Sequence, residues 1–595
     1  MRRREIWSSK HKFMIPHAQQ LIAIWALYMI VEIAGLSQPI PSCGVPGKNV
    51  CRTDACKQRA KLILGSMNAT EDPCTDFYAY VCGNWENSHP MPDDETLLGH
   101  HRILTDKAEE DIKPVEEEKK LGDLLQLLKK KGFTKWPILE GEATPYEDYN
   151  ELLTKTGFLQ LIGFEVKRDA KRVEEYAIYL TLLSVINSNL SSIYNEANIS
   201  ILSERSPEIK WLQILNNVFS IANITLERNE TVIVLHQQYI YGIGKILKNT
   251  SLSTLYNYLC WTQIRTYGSE SSKKFGQLVS EFDKRSSGVE TVLPRWKTCL
   301  TEISGVLKHA LIRLYVDKMF EPSAIHTVNH LVDVVNSTFK EMLENNTWMD
   351  CNTREEALKK LQKMIRKIGY PYWMLNDTHL NQLYEYVPNL SLDDSYLNVL
   401  HSLKQNHFIK YLQNLRQPYK REDQWHPTPA EVGAYYNGLD NSISFAAGIL
   451  QPPFLQGDIP SSINMGALGA DIGHEISHAF DNSGSQYDAD GNLRNWWTPT
   501  AQEAFLNRSH CFVQMYNVTV KEVNMTVNGF HTLGENIADI AGLRAAYLAW
   551  TKFNDTEQLL HDLENLTGDQ LFFVSYAHVS SIQNVFLDLT NCKYM

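Results

Sequence analysis

At 595 residues the chain exceeds what a single hydrophobic core fills, so two large domains are expected. Apolar residues at 43% and charged residues at 21% exclude a disordered or fibrous chain. With 57 basic against 69 acidic residues and no Lys/Arg block beyond the N-terminus, nucleic acid is excluded as the expected partner.

Residues 1–20 form a basic segment carrying Arg2, Arg3, Arg4, Lys10 and Lys12. Residues 21–36 follow as an apolar run that Glu32 interrupts, shorter than the roughly 20 residues a bilayer span needs. That pattern reads as a signal peptide or a signal anchor, with membrane anchorage through 21–36 in the second case. Either outcome places the remainder outside the cell, as a secreted or type II single-pass plasma-membrane protein. Fifteen Asn-x-Ser/Thr sequons along the chain, including Asn68, Asn198, Asn336, Asn517 and Asn565, agree with a glycosylated extracellular surface. Five of ten cysteines (Cys43, Cys51, Cys56, Cys74 and Cys82) cluster near a stalk spanning 37–72, as disulfides do where little core exists.

From 73 to 372 the dominant signal is helical, with apolar residues three or four apart over Leu121–Leu128, Val173–Ile186, Val306–Met319 and Arg354–Lys367. Strand-like runs are few, Thr231–Leu235 and Ile443–Phe445 among them. Residues 373–430 are aromatic and turn-rich and read as a bridge to a last domain over 431–595.

That last domain carries Gly473-His474-Glu475-Ile476-Ser477-His478, an H-E-x-x-H motif. Histidines at i and i+4 share one helical face, so both imidazoles can converge on one zinc ion. Glu475 stands beside the first ligand, placed to act on water at an open metal position. A catalytic zinc needs a third protein ligand, and Glu535 in Gly534-Glu535-Asn536-Ile537-Ala538-Asp539 is the candidate. Asp539, one helical turn later, is placed to hold a ligand imidazole from behind. One Zn2+ per chain is expected.

The block from Gly433 to Trp550 resembles the catalytic domain of neprilysin and the endothelin-converting enzymes. The strings that carry the resemblance are Ala434-Tyr435-Tyr436, Ala447 to Phe454, the His474 helix with Phe480-Asp481, Trp496-Trp497-Thr498 and Gly534 to Asp539. Upstream, Pro73 to Phe77, Cys82 to Trp85, Arg313 to Val316 and Ile368 to Pro371 are similar to further landmarks of that family. The resemblance implies a mainly α fold: a thermolysin-like catalytic domain with a small β component, and a second large helical domain enclosing a chamber. It implies a zinc-dependent metalloendopeptidase that hydrolyses oligopeptides through a zinc-bound water activated by Glu475. It also implies that Ala434 and Tyr435 contact substrate, and that Asp539 serves the catalytic site. Oligomeric state and the physiological peptide are not encoded in these motifs.

The chain departs from the family at several positions. Gly433 replaces an asparagine that binds substrate backbone, and Asp471 stands where an apolar side chain lines a specificity pocket. The family's Asp-x-His motif and a downstream arginine have no counterpart before Met595, and His578 occupies a glutamine position. Cysteines resembling Cys74, Cys82 and Cys511 pair in the family with C-terminal partners; Ser581 replaces one such partner, and the partner of Cys299 falls in a shortened segment. Together these departures set out an alternative: a catalytically impaired, glycosylated peptide-binding pseudoenzyme that keeps the zinc helix.

Overall fold

In the computed structural model the described residues are 50–580 and 582–584, apart from 93–96, 112–120, 158, 173, 183–192, 272, 288–294, 392–393, 428–430, 521–524 and 554–557. The expected export segment at 21–36, Cys43, Ser581 and Cys592 lie outside them. No described helix is long and apolar enough to cross a membrane.

The chain divides into two compact units, each assembled from separate stretches. One comprises 113–310 and 372–422. Its sheet holds strands β1 (Gly163–Arg168), β2 (Tyr176–Thr181), β3 (Glu196–Asn198) and β4 (Thr231–Val234) in the order β1-β2-β4-β3. β1 runs antiparallel to β2 with Gly163 opposite Thr181, β2 runs parallel to β4 with Ile178 opposite Val232, and β3 is antiparallel to β4. Helices α1 (Leu121–Lys130) and α2 (Leu252–Ser271) join the same apolar core.

Of the helix expected over Val173–Ile186, the described residues Tyr176–Thr181 form the strand β2 instead. Its run Ala177-Ile178-Tyr179-Leu180 is buried on both faces, which a central strand demands and a helical reading cannot distinguish. The stretch read as a bridge contains an 18-residue helix, Tyr396–Gln413, capped by the Ser395 hydroxyl and buried along Leu397, Leu400, Leu403 and Ile409.

The other unit comprises residues up to 112, 311–371 and 423 onward. Helices α3 (Ser323–Glu344) and α4 (Cys351–Gln362) lead into β5 (Ile365–Gly369). The helix expected over Arg354–Lys367 therefore ends early, and Ile365 onward enters a sheet because β7 (Ser442–Ala446) pairs with it in parallel. β6 (Ala434–Asn437) pairs antiparallel with β7, giving the order β5-β7-β6 and leaving β6 at an edge. Helices α5 (Ala470–His478), α6 (Leu533–Trp550) and α7 (Gly568–Val579) complete the core beside this sheet.

A third apolar cluster joins the start of the described chain to its end. The helix Asp54–Ser66 buries Ala60 and Ile63 against Leu571 and Val574 of α7, and Val50–Cys51 runs parallel to Leu559–Leu560. Cys51 and Cys56 form a disulfide here. The Cys82 thiol lies 3.3 Å from the carbonyl oxygen of Ala577 on α7.

Candidate metal centre

Helix α5 continues a helical run that begins at Ser461 and passes through a wider π turn at Met465–Gly469. α6 crosses α5 with the two backbones in contact. A Cβ on Gly473 would lie 2.3 Å from the Gly542 carbonyl oxygen, and one on Gly542 would lie 2.3 Å from the His474 nitrogen. Only paired glycines permit this approach, which carries the Glu535 end of α6 to the histidine face of α5.

Three donor atoms converge there. His474 Nε2 and His478 Nε2 lie 2.8 Å apart, and Glu535 Oε2 is 3.5 Å from the first and 3.3 Å from the second. Among the described residues this is the one His/Cys/Asp/Glu group whose donor atoms cluster closely enough to hold a metal ion. Each imidazole is held from behind: His474 Nδ1 is 2.8 Å from Asp539 Oδ1, and His478 Nδ1 is 2.6 Å from Asp481 Oδ2. With each Nδ1 proton given to a carboxylate, both Nε2 lone pairs face one point beside a third anionic oxygen. Such a point is stable only with positive charge on it, and a His2Glu donor set with outer carboxylates fits zinc.

The titration of these groups follows the same physics. Burial alone would lower His474, but the Asp539 and Glu535 carboxylates raise it well above its ordinary value. Burial and His474 lower His478, while Glu535 and Asp481 outweigh them and lift it to about 9. Burial would raise Glu535, yet the two imidazoles hold it well below the usual carboxylate range.

Glu475 is 4% exposed and follows His474 on the same helix, at the edge of the metal-facing side. Ala434 begins the edge strand β6 and is buried. The hydroxyl of Tyr435 donates to a carboxylate oxygen of Glu431. A Cβ at residue 433 would sit 2.5 Å from that hydroxyl, so Gly433 is the residue that lets Tyr435 fold back. Asp471 is partly exposed, one turn before His474, and its Oδ2 is buried without a hydrogen-bond partner. Burial pushes its carboxyl up to about 7, with Glu475 and Asp539 adding to the rise and His474 opposing it. His578 belongs to a different neighbourhood, its ring 4.7 Å from that of His100.

Two residues escaped sequence reasoning. Asp481 follows His478 by three positions, and that spacing was a usable signal. Lys360 left none: it is fully buried on α4, and its Nζ donates to the carbonyl oxygens of Ala479, Gly484 and Tyr487 at 2.8, 2.7 and 2.6 Å. It pins the turn in which Asp481 also accepts from the backbone N–H groups of Ser483 and Gly484.

Two profiles described as Peptidase family M13 match the chain, one over 73–123 and 147–371, the other over 433–585. Endothelin-converting enzyme 1 of Rattus norvegicus is 30% identical over 92% of this chain and 84% of its own length. The chain belongs to peptidase family M13. It is also 29% identical to Neprilysin-11 of Caenorhabditis elegans, over 89% of this chain and 74% of that protein. Among solved structures, the Mycobacterium tuberculosis zinc metalloprotease Zmp1 in complex with inhibitor shares the fold of this M13 chain, with a TM-score of 0.73 at 23% identity over 88% of this chain and 91% of the other. As a member of M13 the protein is a metallopeptidase by descent, mainly helical with small sheets.

Proposed function

We propose that the chain is a zinc-dependent endopeptidase that hydrolyses oligopeptides, with His474, His478 and Glu535 as metal ligands and Glu475 as general base. The supporting observation is the convergence of three donor atoms while both Nδ1 atoms are committed to Asp539 and Asp481. Zinc held by these ligands would supply a Lewis acid and make water more acidic at neutral pH.

The remaining work falls to the chain's own residues. The Glu475 carboxylate accepts a proton from the attacking water and returns it to the departing amine. Asp539 and Asp481 hold the two imidazoles in the tautomer that presents Nε2 as a ligand. The free edge of β6 at Ala434 offers backbone groups to an extended peptide, which would add as a further strand. Tyr435, folded onto Glu431, flanks that strand. The sequons and the Cys51–Cys56 disulfide support an oxidising, extracellular setting for this chemistry.

The test is hydrolysis of a quenched peptide library by the full chain beside Glu475→Gln. Cleavage by the first should be chelator-sensitive, and the variant should lose about 100- to 10,000-fold in turnover while binding zinc stoichiometrically. A folded, zinc-loaded chain that cleaves nothing would sink the enzyme reading and leave a peptide binder.

A further inference from the structure

Three imidazoles and a guanidinium meet where the start of the described chain packs on α7. His100 opens the helix His100–Asp111, His578 lies in the last turn of α7, and the centroids of their rings are 4.7 Å apart. His89 stacks on Trp85 at 4.5 Å, with its ring 6.2 Å from that of His100. Arg59, in the helix Asp54–Ser66, is fully buried and reaches the same face of α7. Its Nη2 donates at 2.8 Å to the hydroxyl of Ser575, three residues before His578, and its Nη1 donates to the carbonyl oxygen of Pro453. The metal chemistry uses none of these groups.

Hydrogen bonding fixes the charge of the buried pair. An indole N–H can only donate, and that of Trp85 lies 3.2 Å from His100 Nε2, so this nitrogen keeps its lone pair and the ring is neutral. His100 also bonds to the backbone of His578, and His578 to that of Leu62. Nδ1 of His578 is buried without a partner. A second proton on His100 would face the indole N–H, and one on His578 Nδ1 would have nothing to donate to.

The charged and titratable groups facing the two rings are Arg59 from the first helix, His89 from the Trp85 turn, and each ring for the other. The Cys82 thiol sits on the neighbouring Ala577 carbonyl, and His101 turns away onto Phe454 at 4.4 Å. None of Arg59, His89, His100 and His578 pairs with a carboxylate among the described residues. Burial first, and then these neighbours, holds His100 down to about 3 and His578 well below its ordinary value. An unfolded chain takes up protons on both near 6.5, so the folded junction loses stability as pH falls below that value.

This junction bears on the helical run that carries His474 and His478. The Ser575 hydroxyl, held by Arg59, donates to the Ile463 carbonyl at 2.8 Å. A Cβ on Gly466 would lie 2.0 Å from the Phe572 carbonyl oxygen, so α7 lies directly against the run. Just before His100 and just after α7, Leu97–Gly99 pairs antiparallel with Ile582–Asn584.

We propose that the cluster is an acid-sensitive clasp: in a mildly acidic compartment, protonation of His100 or His578 sets a second positive charge beside Arg59 with no carboxylate to meet it, and the helix Asp54–Ser66 releases α7. Release would also free Ser575, and with it the head of the helical run at Ile463.

The experiment uses the full chain with zinc in excess, beside a double variant, His100→Gln with His578→Gln, whose amides stay neutral and still offer an acceptor and a donor. Denaturant midpoints and hydrogen–deuterium exchange over 54–66 and 568–579 are followed from about pH 7.5 to about pH 5, with exchange referred to the intrinsic rate at each pH. In the wild type the opening of these helices should increase about 30-fold at about pH 5 for each histidine kept neutral by the fold. The double variant should lose most of that increase, whatever its stability at neutral pH. Equal pH dependence in the two chains overturns the clasp. If the variant fails to fold, wild-type exchange decides: unchanged protection over 54–66 and 568–579 at about pH 5 overturns the proposal, and a loss there exceeding that over Tyr176–Thr181 supports it. Neither readout needs peptide cleavage, so failure of the peptidase reading would be distinguished from failure of the clasp.

Discussion

The two units of the molecule put buried charge to different use. In the sheet-bearing unit the sheet itself is apolar at its centre, with Ile178, Leu180, Val232 and Val234 fully buried, and buried charge is placed at the end of β1, at Arg168 and Asp169. Its buried Asp169 is matched at once by the Arg172 guanidinium and by the Tyr194 hydroxyl at 2.7 Å. The unit with the candidate metal centre buries Lys360, Glu475, Asp481 and Asp539 within one region, and sets Asp539 and Asp481 behind the two imidazoles. Carboxylates gathered around one point need surrounding structure to restrain them, and Lys360 beneath the Asp481 turn is part of that restraint.

Lys360 is the sharpest way to break that contrast. Lys360→Met removes the donor to three carbonyls and should cost about 3–5 kcal/mol, read as a fall in the denaturant midpoint together with weaker zinc binding. Its pH dependence has a definite sign. Burial lowers the Lys360 ammonium to about 7, although Asp481 and Asp488 pull it upward. The unfolded chain keeps the lysine protonated up to its ordinary 10.5, so between these values the unfolded state binds more protons and wild-type stability rises with pH. Lys360→Met should lack that component of the slope.

In the other unit, Leu180→Ala should destabilise by about 2–4 kcal/mol through the cavity it leaves, while zinc stoichiometry stays at the wild-type value. Equal loss of zinc in that variant would mean the two units do not divide the labour as their cores indicate. The smallest effect belongs to Asp481→Asn. It should weaken zinc affinity by about 10- to 100-fold in a metal-buffered titration with little change in folding, because the ligand stays and only its orientation loosens.

Legibility followed range. His474, Glu475 and His478 were readable because a helix brings i and i+4 onto one face without outside help, and Glu535 with Asp539 obeyed the same rule. The strand at Tyr176–Thr181 was misread for want of such a rule. A doubly buried strand and a buried helix segment share an apolar run, and only the pairing partners Gly163–Arg168 and Thr231–Val234 separate them. Arg354–Lys367 failed at its end for the same reason, since β7 recruits Ile365 from 77 residues away in sequence.

By itself, then, the sequence determined which residues share a helical face, His474 with His478 and Glu535 with Asp539, each from spacing within about two helical turns. Tertiary structure alone decided the rest. It set α6 against α5 through Gly473 and Gly542, seated Lys360 beneath the Asp481 turn, and brought Glu535 to the two imidazoles. Each of these depends on residues far apart in the chain meeting at close range, and no local periodicity records such a meeting.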